Sequence, residues 1–107
     1  MKKASALIAA ILVLATLARM GYAFARYAMV ERRFISIQAG DTLDSVKDKL
    51  GRPNYYQGKC GVIHIPARNC AEEFVYSHPL APIIPEYHIV SFSSDGRVIE
   101  AEDWNSP

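Results

Sequence analysis

The spacing of apolar and polar residues changes twice along this chain, and each change predicts a different kind of element. From Ala4 to Ala18 the residues are uncharged and almost continuously apolar, between Lys2-Lys3 and Arg19. From Leu43 to Leu50, apolar Leu43, Val46 and Leu50 recur at helical spacing while Asp44, Lys47, Asp48 and Lys49 lie away from that stripe. Beyond residue 61 the apolar residues fall into short runs rich in β-branched and aromatic side chains, bounded by Gly, Pro, Asn or Asp, which is the pattern of strands.

The middle segment predicts a short helix with both ends written in sequence. Gly40 frees the backbone before it, and Asp41 or Thr42 supplies an oxygen to cap the first-turn N–H groups. Asp44 suits the positive end of the helix dipole, and Lys47 and Lys49 lie near the negative end. Gly51 fits a left-handed cap and Pro53 forbids continuation. So short a helix is marginal alone and needs a surface on which to dock its stripe.

The first apolar run reads as an export signal or a membrane anchor. A basic start, an apolar stretch and Ala23-Phe24-Ala25 in an A-x-A arrangement fit a cleavable signal ending at residue 25. As an anchor, Ala4 to Ala18 is short, since at about 1.5 Å per residue it falls below a hydrocarbon core of roughly 30 Å. Extension to Ala25 reaches the length if Arg19 snorkels to the interface. Lys2 and Lys3 on one side against Arg26, Arg32 and Arg33 on the other leave the orientation open. The first cysteine is Cys60, so no lipid-modified cysteine follows the apolar run. The expected organisation is therefore a signal or anchor over residues 1–25, a tether over 26–35 and a folded domain over 36–107.

Four strands are predicted: Val62–Ile65, Glu72–Ser77, Tyr87–Phe92 and Arg97–Glu102. Asp95-Gly96 between the last two favours a tight hairpin turn. Tyr87–Phe92 has apolar residues on both faces and is the candidate centre, whereas the charged last strand suits an edge. In that strand Val98, Glu100 and Glu102 are expected on one face, with Ile99, Ala101 and Asp103 on the other. The fold class is α+β: one or two short helices on a three- to four-stranded antiparallel meander, preceded by the N-terminal hydrophobic helix.

Charge adds a polarity that the net value of +1 conceals. Arg26 to Arg68 holds eight Lys or Arg against four acids, while from Asn69 onward Arg97 stands against seven acids. With no basic tail or recognition-helix pattern, and an acidic aromatic half, nucleic-acid binding is not expected. Cys60 and Cys70 are an even pair, which in an exported chain predicts a disulfide. His64, His78 and His88 lack metal-ligand spacing with each other or with the cysteines, and no cofactor is expected. No oxyanion hole or orienting group accompanies Cys or His, and Glu72, Glu73, Glu100 and Glu102 read as solvated, so no catalytic site is expected.

His78 to Pro85 carries Pro79, Pro82 and Pro85 at every third residue, the repeat of a polyproline II edge. Its Leu80, Ile83 and Ile84 need cover. They either cap the core or form an apolar docking loop for a partner or a membrane, joined by Tyr76, Tyr87 and Trp104.

Taken in order, Gly40-Asp-Thr42, Val46, Leu50-Gly-Arg-Pro53, Phe74-Val-Tyr76, Val90-Ser-Phe92 and Asp95-Gly-Arg-Val98 resemble the SmpA/OmlA (BamE-like) family of small envelope domains. The resemblance covers about Ile35 to Glu102. It implies a helix-on-sheet domain in the bacterial envelope that acts by binding, and the fold is also similar to the repeat of β-lactamase inhibitory protein. The structural positions carry over: Gly40 and Thr42 at the helix start, Val46 and Leu50 on its buried stripe, Gly51 and Pro53 at its end, Asp95 and Gly96 in the hairpin. The expected function is scaffolding in the assembly or maintenance of a membrane protein complex, periplasmic and exported, tethered by the N-terminus if that segment is retained. Envelope proteins are the expected partners and no small-molecule substrate is evident. The alternative is a soluble inhibitor or small-ligand binder released after cleavage.

Overall fold

A computed structural model describes residues 2–105. Met1 and residues 106–107, the outermost positions of the expected segments, lie outside the described residues. Those described form α1 (Lys2–Phe34), α2 (Leu43–Leu50), β1 (Tyr56–Gly58), β2 (Glu72–Ser77), β3 (Tyr87–Phe92) and β4 (Val98–Trp104). The strands make an antiparallel meander in the order β1-β2-β3-β4, and the fold is α+β.

α1 runs for 33 residues, about 50 Å at the α-helical rise. Its large apolar residues from Leu7 to Leu17 are all exposed. Within the segment expected to be a tether, this helix continues to Phe34. There the pattern becomes one-sided: Tyr27, Val30 and Phe34, at i, i+3 and i+7, are buried, while Glu31, Arg32 and Arg33 face outward. A helix thus leaves its all-apolar stretch and enters the domain core without a break.

α2 is capped as its residues predict, by Thr42, whose hydroxyl accepts from Ser45 N at 3.1 Å. Asp41 has another task, accepting from Gln38 N at 3.0 Å and from Lys49 Nζ at 3.4 Å. Those bonds, the backbone one foremost, hold its carboxyl below the usual range despite some desolvation. Gly51 closes the helix with φ 78°, its N–H donating to Lys47 O at 2.8 Å. Val46 and Leu50 are completely buried and Leu43 packs beside them.

The helices cover one face of the sheet. Val30, Phe34, Val46 and Leu50 meet Phe74, Tyr76, Val90, Phe92 and Val98 there. Start and hairpin lock together: Leu43 N donates to Gly96 O at 3.1 Å, Val98 N to Asp41 O at 2.8 Å, and Gly40 N to Val98 O at 2.8 Å. β3 pairs with β2 on one side and β4 on the other and is buried along its whole length.

Two strand expectations are corrected. Val62–Ile65 is not a strand; the first strand is Tyr56–Gly58, pairing Tyr56 with Val75 and Gly58 with Glu73. Gly61, at φ 101°, turns the chain away from the sheet edge, and the Cys60–Cys70 disulfide closes residues 60–70 into a loop. In β4 a bulge between Ser91 and Phe92 pairs Phe92 with Val98 but Ser91 with Glu100. The extra residue, Ile99, breaks the alternation, so Val98 joins Ala101 on the helix-covered face rather than Glu100 and Glu102.

Candidate interaction surface

The end of the sheet nearest the exposed part of α1 gathers the chain's unusual groups. β2 runs along α1 toward that helix's N-terminus. Tyr76 donates its hydroxyl to Gly51 O at 2.7 Å, and Ser77, the next residue, walls a cavity of about 120 Å³ whose other side is Tyr22, Ala23 and Arg26. Asn54 closes it, donating to Ser77 O at 3.1 Å and accepting from Ser77 N at 2.9 Å. Arg26 donates to Arg52 O at 3.0 Å, fastening α1 to the segment that leaves α2.

His78 then meets α1 directly, its ring 5.4 Å from Phe24 and 5.1 Å from Tyr27. The Tyr27 hydroxyl donates to Glu86 Oε2 at 3.1 Å. Burial first, then this bond and the neighbouring Glu31 charge, push the phenol well above its usual range, so it stays a donor. Within β3, His88 sits between α1 and β4: Nδ1 faces Asp103 Oδ1 within hydrogen-bond reach, and Nε2 lies 3.8 Å from Glu31 Oε1. Tyr27 and Phe34 flank its ring. Nε2 is closed to solvent and, among the described residues, has no hydrogen-bond partner. The cleft here is lined by Tyr27, Glu31, Glu86, His88, Asp103 and Asn105. An imidazole held this way braces helix to strand.

The proline run is a turn rather than a polyproline II edge. Ala81 N donates to His78 O at 2.9 Å and Ile84 N to Leu80 O at 3.1 Å, and Ala81–Pro82 is cis. These bonds close the β2–β3 connection on itself. Ile83 is 87 % exposed and Leu80 37 %, while Ile84 is half-buried. Tyr76 and Tyr87, expected to join them, are core residues on opposite faces of the sheet: Tyr76 lies under α1 and α2, Tyr87 packs with Val75 and Ile89. Trp104, half-buried, pairs with Tyr87 across β4 and meets His64 edge-on with ring centres 5.3 Å apart. The structure therefore leaves Leu80 and Ile83 as the exposed apolar members of that group.

The disulfide loop covers the face that the helices leave open. Ile63 packs against Val75, Tyr87 and Ile89, and His64 pairs with Glu102. Burial, then the adjacent Glu100, hold the Glu102 carboxyl above its ordinary range against the opposing pull of His64. Glu73, expected in solvent, is completely buried beneath this loop and accepts from Val62 N at 3.1 Å. Its position follows from the face it shares with Val75, which the loop must cover.

Tyr27, Glu31, His88 and Asp103 come together only through the strand register, so sequence reasoning missed the group. The one legible trace was the Tyr27, Val30, Phe34 spacing. Among the described residues no three His, Cys, Asp or Glu side chains are arranged to hold a metal ion. No family model, no curated protein and no solved structure matches this chain.

Proposed function

We propose that this chain is a non-enzymatic, membrane-anchored binding module of the bacterial cell envelope, which scaffolds the assembly or maintenance of a membrane protein complex. The observation that carries the reading is α1: apolar and exposed over its first two-thirds, long and apolar enough to cross a membrane, and built into the domain core over its last turns. The A-x-A residues Ala23 and Ala25 lie inside this unbroken helix, and Phe24 between them touches His78, which favours a retained anchor over a removed signal. The Cys60–Cys70 disulfide supports placement on the exported, periplasmic side, because cytosolic thiols are kept reduced. The SmpA/OmlA-like motifs add support, since they fall at the two ends of α2, in β2 and β3, and in the Asp95-Gly96 turn. Exposed Val62 and Ile65 on the disulfide loop offer apolar contact to a protein partner.

Fractionation with N-terminal sequencing tests the anchor, and photocrosslinkers at Val62 and Ile65 in native membranes test the scaffold. Full-length protein resisting alkaline extraction, with discrete adducts to envelope proteins, is expected. A mature chain starting at Arg26 in the soluble periplasm overturns the anchor in favour of a released inhibitor, and an absence of adducts overturns the scaffold.

A further inference from the structure

Two apolar segments of this protein point the same way: the exposed part of α1 and the Pro79–Pro85 turn between β2 and β3. Their relative height is set by aromatic contacts. If α1 spans a bilayer from Ala4 to Ala25, then Tyr22, Phe24 and Tyr27 occupy the interfacial zone, where aromatic rings concentrate, and Arg26 marks the headgroup level. His78 packs against both Phe24 and Tyr27 and so lies at that level. β2 descends toward it, from Tyr76 bonded at Gly51 to Ser77 beside Tyr22 and Ala23, and β3 climbs away, with His88 against Tyr27 and Phe34. The turn joining them therefore projects from the membrane-facing end of the sheet, and its outermost side chains, Leu80 and Ile83, are apolar and exposed.

We infer that the Pro79–Pro85 turn is a second membrane contact, with Leu80 and Ile83 entering the interfacial zone of the phospholipid bilayer that holds α1. The inference rests on the anchor reading above. The occupant is lipid rather than protein because the turn begins at the same helix level as the headgroups. Arg26, held in place by its bond to Arg52 O, adds positive charge at the level where anionic headgroups lie. Two contacts at different points around the helix also fix the tilt of the domain, which one helix alone leaves free.

Full-length protein reconstituted in phospholipid vesicles tests this with single tryptophans in a Trp104→Phe background: Leu12→Trp in the anchor, Ile83→Trp in the turn, and Ile35→Trp as a control beyond the C-terminal end of α1. Quenching is read with lipids brominated at shallow or deep acyl positions. Where Trp104→Phe fails to fold by circular dichroism, Trp104→Tyr keeps a ring against His64 and serves as background. The expected result is deep quenching of Leu12→Trp, several-fold stronger shallow than deep quenching of Ile83→Trp with blue-shifted emission, and water-like emission from Ile35→Trp. An unquenched, water-like Ile83→Trp beside a quenched Leu12→Trp overturns the inference and leaves the anchor standing. A blue-shifted but unquenched Ile83→Trp also overturns it, in favour of cover by this chain itself or by a second copy. Loss of quenching at both positions overturns the anchor reading and the inference with it.

Discussion

The hydroxyl of Tyr76, in the second strand, donates to the carbonyl oxygen of Gly51, the residue that ends α2, at 2.7 Å. The bond adds to the packing of Leu50 in tying helix end to sheet, and it gives a partner to a terminal carbonyl that has none within the helix. Burial raises the phenol well above its usual range against the opposing pull of Arg26, so the hydroxyl keeps its proton at neutral pH. Tyr76→Phe is expected to lower stability by about 1 kcal/mol in urea unfolding, and Tyr76→Ala by roughly 4 kcal/mol, because the second also empties core volume. Equal losses in the two variants would show that the hydroxyl carries the effect and the ring little.

The last turns of α1 act as core. Phe34→Ala is expected to cost about 3–5 kcal/mol. A chain beginning at Arg26 should still unfold cooperatively, whereas one beginning at Ser36 should lose near-ultraviolet circular dichroism and bind a hydrophobic dye. A cooperative transition in the shorter chain would refute the assignment of Tyr27, Val30 and Phe34 to the core.

Thr42 caps α2 and also forms a bridge with Arg97 beside the β3–β4 turn. Thr42→Ala should cost about 1 kcal/mol and Thr42→Ser much less, since Ser keeps the capping oxygen. Thermal melts of the two variants side by side check this. A Ser variant as weak as Ala would move the effect from the cap to the threonine methyl.

Asp41 sets an acid limit. Its carboxyl is held below the ordinary range by Gln38 N–H and then Lys49, so its stabilising contribution is present above the unfolded-state value and is lost as pH falls through the lowered folded-state value. Asp95, lowered chiefly by the Ser93 hydroxyl, acts in the same direction. Urea midpoints measured from neutral pH downward should fall less steeply for Asp41→Asn than for the parent. Parallel curves would remove Asp41 from the account.

Reduction of Cys60–Cys70 should cost about 3 kcal/mol by the loop-entropy estimate, and in addition loosen the cover over Val75 and Ile89. Hydrogen exchange resolves the two effects: amides of β2 and β3 should lose protection in the Cys60→Ser, Cys70→Ser double variant. Unchanged exchange there would mean that the loop stays seated without its bridge.

What the sequence disclosed was whatever is encoded locally. α2 was legible because cap, stripe and stop fall within a dozen residues, and the β3–β4 hairpin because Asp95-Gly96 supplies its turn. Val62–Ile65 misled because alternation alone does not say whether a partner edge is within reach; Gly61 and the disulfide take the segment off the edge and lay it over a face. Tyr-Gln-Gly at 56–58 carries no periodic signal and became a strand only by pairing with β2. The Tyr27–Glu31–His88–Asp103 group depends on α1 meeting His88 of β3 where Asp103 of β4 lies beside it, and the burial of Tyr76 and Tyr87 depends on both faces of the sheet being covered. None of these relations is expressed by neighbours in sequence.

The uninterrupted course of α1 removes any hinge between its exposed length and the folded domain. The domain is then geared to the helix, so length and heading are coupled. One residue inserted ahead of Arg26 would lift the domain by about 1.5 Å and swing it by about 100° around the helix axis, whereas seven inserted residues would return it close to its original heading some 10 Å higher. The number of residues between Lys3 and Arg26 therefore sets the compass bearing of the sheet as well as its height.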